Sequence, residues 1–252
     1  MRFTIDAKDL FNGIKKAQLK GKYFTSNGLK NGVLGEYLVL EIVDNITIYN
    51  ADTTLCLSVD VIPTTVDIPG SCIIEATKVL NYLFNFSGDI VVEVTDLFRI
   101  TGDGKTASMP VVISHPNSDL ITRFKNRVGN LAFEATPETM PRFTGTRYKT
   151  WIQTSSNEFK EAVKSCEVVK TGVYKLDFDG QECIISSGNH IEKFTNAVNL
   201  TNCNTEPATV EYTGPLHILF EGPINIFFND DSPLLIVGAD CKVIKAPFLV
   251  VN

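Results

Sequence analysis

Residues 86–111 read FSGDIVVEVTDLFRITGDGKTASMPV, and residues 220–249 read FEGPINIFFNDDSPLLIVGADCKVIKAPFL. In both stretches a phenylalanine, Phe86 or Phe220, precedes x-Gly-x-Ile, at an offset of 134 residues. Gly102 and Gly238 repeat at 136, and Pro110 and Pro247 at 137, a drift that small loop insertions explain. Both stretches alternate apolar and polar residues and break at Gly and Asp, the pattern of a strand hairpin. Working outward, a short strand over 2–6 precedes a helical pattern over 7–20. A second short strand over 150–154 precedes another over 156–167. Each half therefore runs strand, helix, several strands, helix, hairpin. The chain reads as a tandem duplication of an α+β domain.

The remaining pattern is strand-rich. YLVLEIVDNITIY (37–49), LCLSVDVI (55–62) and VYKLDFDG (173–180) are β-branched and alternating. Helical periodicity recurs near 75–85, and more weakly at 214–221. Between the halves, 114–149 is rich in Pro, Gly, Thr and Asn and has little periodicity. Its length predicts a connector running over the surface. The expected organisation is a first domain over 1–115, a connector over 116–148 and a second domain over 149–252.

Composition bounds the function. At 252 residues, 44% hydrophobic and 21% charged, the chain can bury a core without disulfides or metals. No apolar run approaches the roughly 18–20 residues of a membrane helix. The opening MRFTIDAKDLF lacks the apolar core of a signal peptide, so an intracellular protein is expected. The six cysteines form no close pair, which argues against zinc and for reduced thiols.

The three histidines, His115, His190 and His217, lie far apart and read as ordinary core or surface residues. Gly102-Asp103-Gly104-Lys105 lacks phosphate-loop spacing and sits between strands, so it reads as a turn. Asp230-Asp231, before Ser-Pro, reads likewise. No catalytic constellation is visible; an enzyme, a cofactor and a metal are not expected.

Charge is distributed unevenly. The net charge is −6, yet residues 7–22 carry five lysines against Asp9, a net +4, leaving −10 for the rest. On the first helix Leu10, Phe11, Ile14 and Ala17 form the apolar stripe, and Lys8, Asn12, Lys15 and Lys16 lie opposite, with Lys20 and Lys22 beyond. The 75–85 helix offers Lys78, Asn81 and Asn85. On the 156–167 helix Lys160 and Lys164 flank the stripe of Phe159, Ala162, Val163 and Cys166, but Glu158, Glu161 and Glu167 offset them. Positive charge concentrated on helix faces of an acidic chain suggests a polyanion partner.

Three stretches resemble one family. FFNDDSPLLIVGADCKVIKAPFLVV (227–251) is similar to the closing hairpin of two-domain DNA sliding clamps of the proliferating cell nuclear antigen type, with Ser232-Pro233-Leu234-Leu235 and Ala246-Pro247-Phe248 at its landmarks. SSNEFKEAVKSC (155–166) resembles the helix that opens their second domain, and EATKVLNYLFNFSGDIVVEV (75–94) their second helix and following strand.

The resemblance implies the α+β clamp fold, a homotrimeric ring with helices lining a central hole, and sequence-independent contact with duplex DNA. It implies a processivity factor tethering DNA polymerase and clamp loader through short peptide motifs. Carried over, the DNA-facing residues are Lys8, Lys15, Lys16, Lys78, Lys160 and Lys164, then Lys20 and Lys22. The peptide groove is expected at Leu120, Ile121, Leu131, Phe133, Pro233, Ala246, Pro247 and Phe248.

Ring closure is expected between edge strands, 106–113 of one subunit against one near 181–187 of the next. A short fourth helix is expected before Pro223. A second reading is a clamp-fold subunit of a heteromeric ring, or a non-encircling clamp-like viral or structural protein.

Overall fold

A computed structural model describes residues 1–18, 36–129, 147–189, 191–214 and 216–248. Described residues up to 122 form one compact unit and those from 123 onward a second.

In the first unit β1 (Arg2–Asp6) leads directly into α1 (Ala7–Gln18). There follow β2 (Tyr37–Ile42), β3 (Ile46–Ala51), β4 (Leu55–Val61), β5 (Thr65–Ile68) and β6 (Gly70–Glu75). Then come α2 (Ala76–Leu83), β7 (Asp89–Val94), β8 (Leu97–Gly102) and β9 (Lys105–Pro110). The strands are hydrogen-bonded in the orders β5-β1-β7-β8-β9 and β6-β2-β3-β4. The 37–49 stretch splits into two strands because Val43–Asn45 turns, leaving Val43 exposed.

After β9 comes α3 (Ser118–Phe124), then a π turn over Lys125–Gly129. This part of the stretch expected to lack periodicity is thus helical. Residues 130–146 lie outside the described residues.

The second unit repeats the plan. β10 (Thr150–Ser155) leads into α4 (Ser156–Cys166). β11 (Val173–Phe178), β12 (Cys183–Gly188), β13 (Lys193–Val198), β14 (Asn202–Cys203), β15 (Ala208–Thr213), β16 (Pro223–Phe228), β17 (Leu234–Gly238) and β18 (Cys241–Lys245) complete it. Their orders are β14-β10-β16-β17-β18 and β13-β12-β11-β15.

The repeated motif has a physical cause. β1 pairs antiparallel with β7, and β10 with β16. Gly88 and Gly222, the glycines of the two F-x-G-x-I segments, adopt φ of 61° and 72°, which favours glycine. That conformation aims each carbonyl at the first turn of the facing helix. Ala7 N–H donates to Gly88 O at 2.9 Å, and Ser156 N–H to Gly222 O at 2.7 Å.

Side chains complete both caps. Asp6 Oδ1 accepts from Lys8 and Asp9 N–H, and Ser155 Oγ accepts from Glu158 N–H at 3.1 Å. Gly102 and Gly238 mark matching close approaches. An added Cβ would lie 2.7 Å from Ile90 Cγ2 in one and 2.9 Å from Phe220 Cδ1 in the other.

Two expectations are corrected. The fourth helix is a single 3-10 turn over Leu216–Leu219. Gly214 and Gly222, both at positive φ, leave too little chain for more. The strand near 181–187, β12, offers no free edge, because β11 bonds to one side of it and β13 to the other. Among the described residues that sheet ends at β13 and β15, and β13 is exposed along most of its length. β9 does end its sheet. The predicted turns stand as turns, with Asp103 and Gly104 at positive φ between β8 and β9, and Asp231 between β16 and β17.

Candidate functional site

Three helices carry the described members of the predicted DNA-facing set. On α1, Leu10, Ile14 and Ala17 are fully buried while Lys8, Asn12 and Lys15 are exposed and Lys16 is half-buried. Asp9 lies in its first turn and Lys15 and Lys16 in its last, each suited to the helix dipole. Lys15 Nζ lies 5.9 Å from the Phe11 ring centroid.

α2 buries Ala76, Val79 and Leu83 and leaves Lys78 half-buried. It packs on α1, and Gln18 Nε2 donates to Thr77 Oγ1 at 2.9 Å across the pair. Asn50 Nδ2 donates to the Ala17 carbonyl at 2.8 Å, satisfying one group at the end of α1. Lys8, Lys15, Lys16 and Lys78 therefore belong to one rigid helical layer. Lys20 and Lys22 lie outside the described residues.

The helix of the second unit carries less net positive charge, because Glu158 and Glu161 share it with Lys160 and Lys164. α4 buries Phe159, Ala162, Val163 and Cys166, leaving Lys164 exposed and Lys160 half-buried. Its acids stay on the same helix, and Glu158 accepts from Asn199 Nδ2 at 2.8 Å. The 3-10 turn that replaces a fourth helix packs on α4 and adds no cation. His217 on that turn is 2% exposed, and burial, then Lys164 and Lys160, push its pKa down to about 4. The imidazole is neutral at pH 7.

An apolar cleft of about 420 Å³ lies where the α1 N-terminus meets the end of α2, lined by Phe11, Leu83, Phe84 and Phe86 with Asp6 and Lys8 at its polar positions. Phe84 is 81% exposed. The loop beyond it is pinned to the β8–β9 hairpin. Lys105 Nζ donates to Asn85 O at 2.9 Å, and Ser87 donates twice to Asp103, which holds that carboxyl below its usual range.

The predicted peptide-groove residues fall in two sets. In the first unit Leu120 is half-buried and Ile121 is buried, so Ile121 can serve only as a floor. In the second, Pro233, Ala246 and Pro247 are half-buried and Phe248 is exposed. Tyr148 O–H donates to Pro233 O at 2.8 Å, and Phe248 N–H donates to Glu211 O on β15 at 2.7 Å. Leu131 and Phe133 lie outside the described residues.

Sequence reasoning missed His115 and Asn117, which tie the start of the connecting stretch to the first unit. His115 is buried with both ring nitrogens engaged, and Asn117 Nδ2 reaches Ala51 O at 2.8 Å. The available signal was an asparagine two residues after a histidine at a strand exit. Among the described residues no group of three or more His, Cys, Asp or Glu could hold a metal ion. No helix among them is long and apolar enough to cross a membrane.

No family model and no curated protein matches the chain. Solved structures do. The Helicobacter pylori beta clamp bound to a DNA ligase peptide aligns over 100% of this chain and 67% of its own, with TM-score 0.70 and 13% identity. The Archaeoglobus fulgidus proliferating cell nuclear antigen bound to the C-terminal region of FEN-1 aligns over 100% and 99%, with TM-score 0.70 and 12% identity. The Pseudomonas aeruginosa DNA polymerase sliding clamp aligns over 99% and 67%, with TM-score 0.69 and 13% identity. The likeness extends along the whole chain, through both repeated units, and the chain has the DNA sliding clamp fold.

Proposed function

We propose that the protein is a sliding clamp, a polymerase processivity factor that encircles duplex DNA as a homotrimer. The observation carrying this reading is the lysine layer of α1 and α2, on a fold that aligns along its whole length with clamps. An acidic chain that keeps Lys8, Lys15, Lys16 and Lys78 on one helical layer is suited to shallow phosphate contact without base readout. Such contacts hold a duplex weakly enough to slide. Lys160 and Lys164 add to the lining from α4, although Glu158 and Glu161 weaken them.

Ring closure then uses β9 of one subunit and β13 of the next, each an unpaired sheet edge in its own chain. An open edge invites a strand, and β9 and β13 lie in different units of the chain, so a head-to-tail arrangement can close.

Polymerase and loader peptides are assigned to Leu120, Pro233, Ala246, Pro247 and Phe248. Two of the aligned clamps carry peptides of DNA ligase or FEN-1. No catalytic role is assigned.

Light scattering across a dilution series tests the assembly. A species of three times 27.8 kDa that falls apart on dilution or on breaking β13 supports the ring. A monomer at every concentration and salt removes the homotrimer and favours a heteromeric ring.

A further inference from the structure

His115 closes a small knot at the exit of the first unit. It is 4% exposed and follows β9, whose continuation is held by Val112 N–H donating to Ile73 O at 3.0 Å. The Asn117 backbone N–H donates to His115 Nδ1 at 3.0 Å. That nitrogen must therefore be unprotonated, so Nε2 carries the hydrogen and donates it to Tyr37 O, also at 3.0 Å. One neutral tautomer is selected by two backbone partners. Asn117 extends the knot, its Nδ2 donating to Ala51 O at 2.8 Å, while its carbonyl accepts from Ile121 N–H at 3.1 Å in the first turn of α3.

Ala51 itself begins a stiff corner, because Asp52 Oδ1 accepts from Thr54 and Leu55 N–H. Two side chains thus bind the start of β2, the β3–β4 turn and the start of α3 into one piece. A buried imidazole held this way costs more to desolvate than an apolar residue of similar size. Core packing alone gives no reason to place it there.

We propose that His115 is a positioning residue that fixes where the connecting stretch leaves the first unit, and so where Leu120 and the floor residue Ile121 stand. The link to peptide binding rests on the groove assignment above; the knot does not. Substitution separates the two. His115→Phe fills the space but leaves the Asn117 N–H without an acceptor. His115→Asn restores one, because an Asn side-chain oxygen reaches the N–H two residues on, as in an Asx turn.

The experiment is amide exchange by NMR on the full chain, with anisotropy of a labelled FEN-1 C-terminal peptide as the groove probe. In His115→Phe, the Asn117 and Ile121 amides should exchange at least tenfold faster than in wild type, while Ile90 and Val92 in β7 keep their rates. His115→Asn should return Asn117 and Ile121 to within a few-fold of wild type. Probe affinity should follow the same order.

Unchanged exchange at Asn117 and Ile121 in His115→Phe overturns the proposal. So does equal loss in both variants, which marks a packing role. Faster exchange with undiminished probe affinity overturns the link to the groove. A wild-type protein that ignores the probe while its exchange responds as stated keeps His115 as the residue fixing the exit and counts against the groove assignment instead.

Discussion

Replacing His217 should stabilise the protein, increasingly so at acid pH. The residue is buried on the 3-10 turn against α4, and its Nδ1 has no hydrogen-bond partner. At pH 7 the ring is neutral in both folded and unfolded chains. His217→Leu then removes only the cost of an unpaired buried nitrogen, a gain of about 1 kcal/mol.

Below pH 6.5 the two states part. The unfolded chain takes up a proton at the ordinary histidine value, but the folded chain does not until about pH 4, because burial and then Lys164 and Lys160 oppose the charge. Wild type therefore loses stability as pH falls from 6.5 to about 4 and levels off below, by up to about 3 kcal/mol from this one group. Carboxylates titrate in the same range, but they are common to both proteins and cancel in the difference. Urea unfolding of wild type and His217→Leu at pH 7.5 and pH 4 gives that difference directly. A gap that widens by 2–3 kcal/mol agrees with the structure. A gap that is the same at both pH values would refute the buried, neutral placement of His217.

Other predictions are simpler. Lys15→Glu with Lys16→Glu should lower the salt slope of duplex binding by about 2, since each lost phosphate contact removes about 0.9; anisotropy across a KCl series measures it. Lys164→Glu, beside acids that already offset it, should change the slope less. Gly88→Ala and Gly222→Ala should each cost about 1–2 kcal/mol in urea unfolding. An added Cβ there meets nothing within 4 Å, so the cost comes from the left-handed backbone alone.

Thr195→Pro should dissociate the assembly in light scattering while far-UV CD stays unchanged. Asn189 N–H bonds to Glu192 O, and alternation along the β12–β13 ladder then leaves the Thr195 N–H pointing away from β12.

Much of the fold was legible because its signals are local. The F-x-G-x-I repeat is visible since a left-handed glycine must present a carbonyl to each opening helix, and no other residue does this as cheaply. α1, α2 and α4 show as apolar stripes because one face of each is fully buried.

The misreadings share a cause. KFTNAV in β13 carries little apolar signal because the strand is exposed along most of its length and buries only Val198, whereas CIISSG in β12 reads as a strand because most of it is buried inside the sheet. The apolar run PLHILF suggests a helix, but the bounding glycines decide its length. The knot at His115 depends on two backbone carbonyls brought from β2 and β3, and no composition records them. Within the candidate site, the lysine positions were readable from helical spacing. The loss of a cation on the fourth helical segment was readable too, but not the burial of His217.

The most direct test of encirclement is topological. Protein is threaded onto linear duplex DNA carrying biotin at both ends, and the ends are then blocked with streptavidin. The complex is washed in high salt and cut once in the middle by a restriction enzyme. A ring survives the wash while both ends are blocked, because salt screens phosphate contacts but does not open a closed loop, and it leaves after the cut. Protein lost in the wash from end-blocked DNA, or retained in full after the cut, would contradict encirclement.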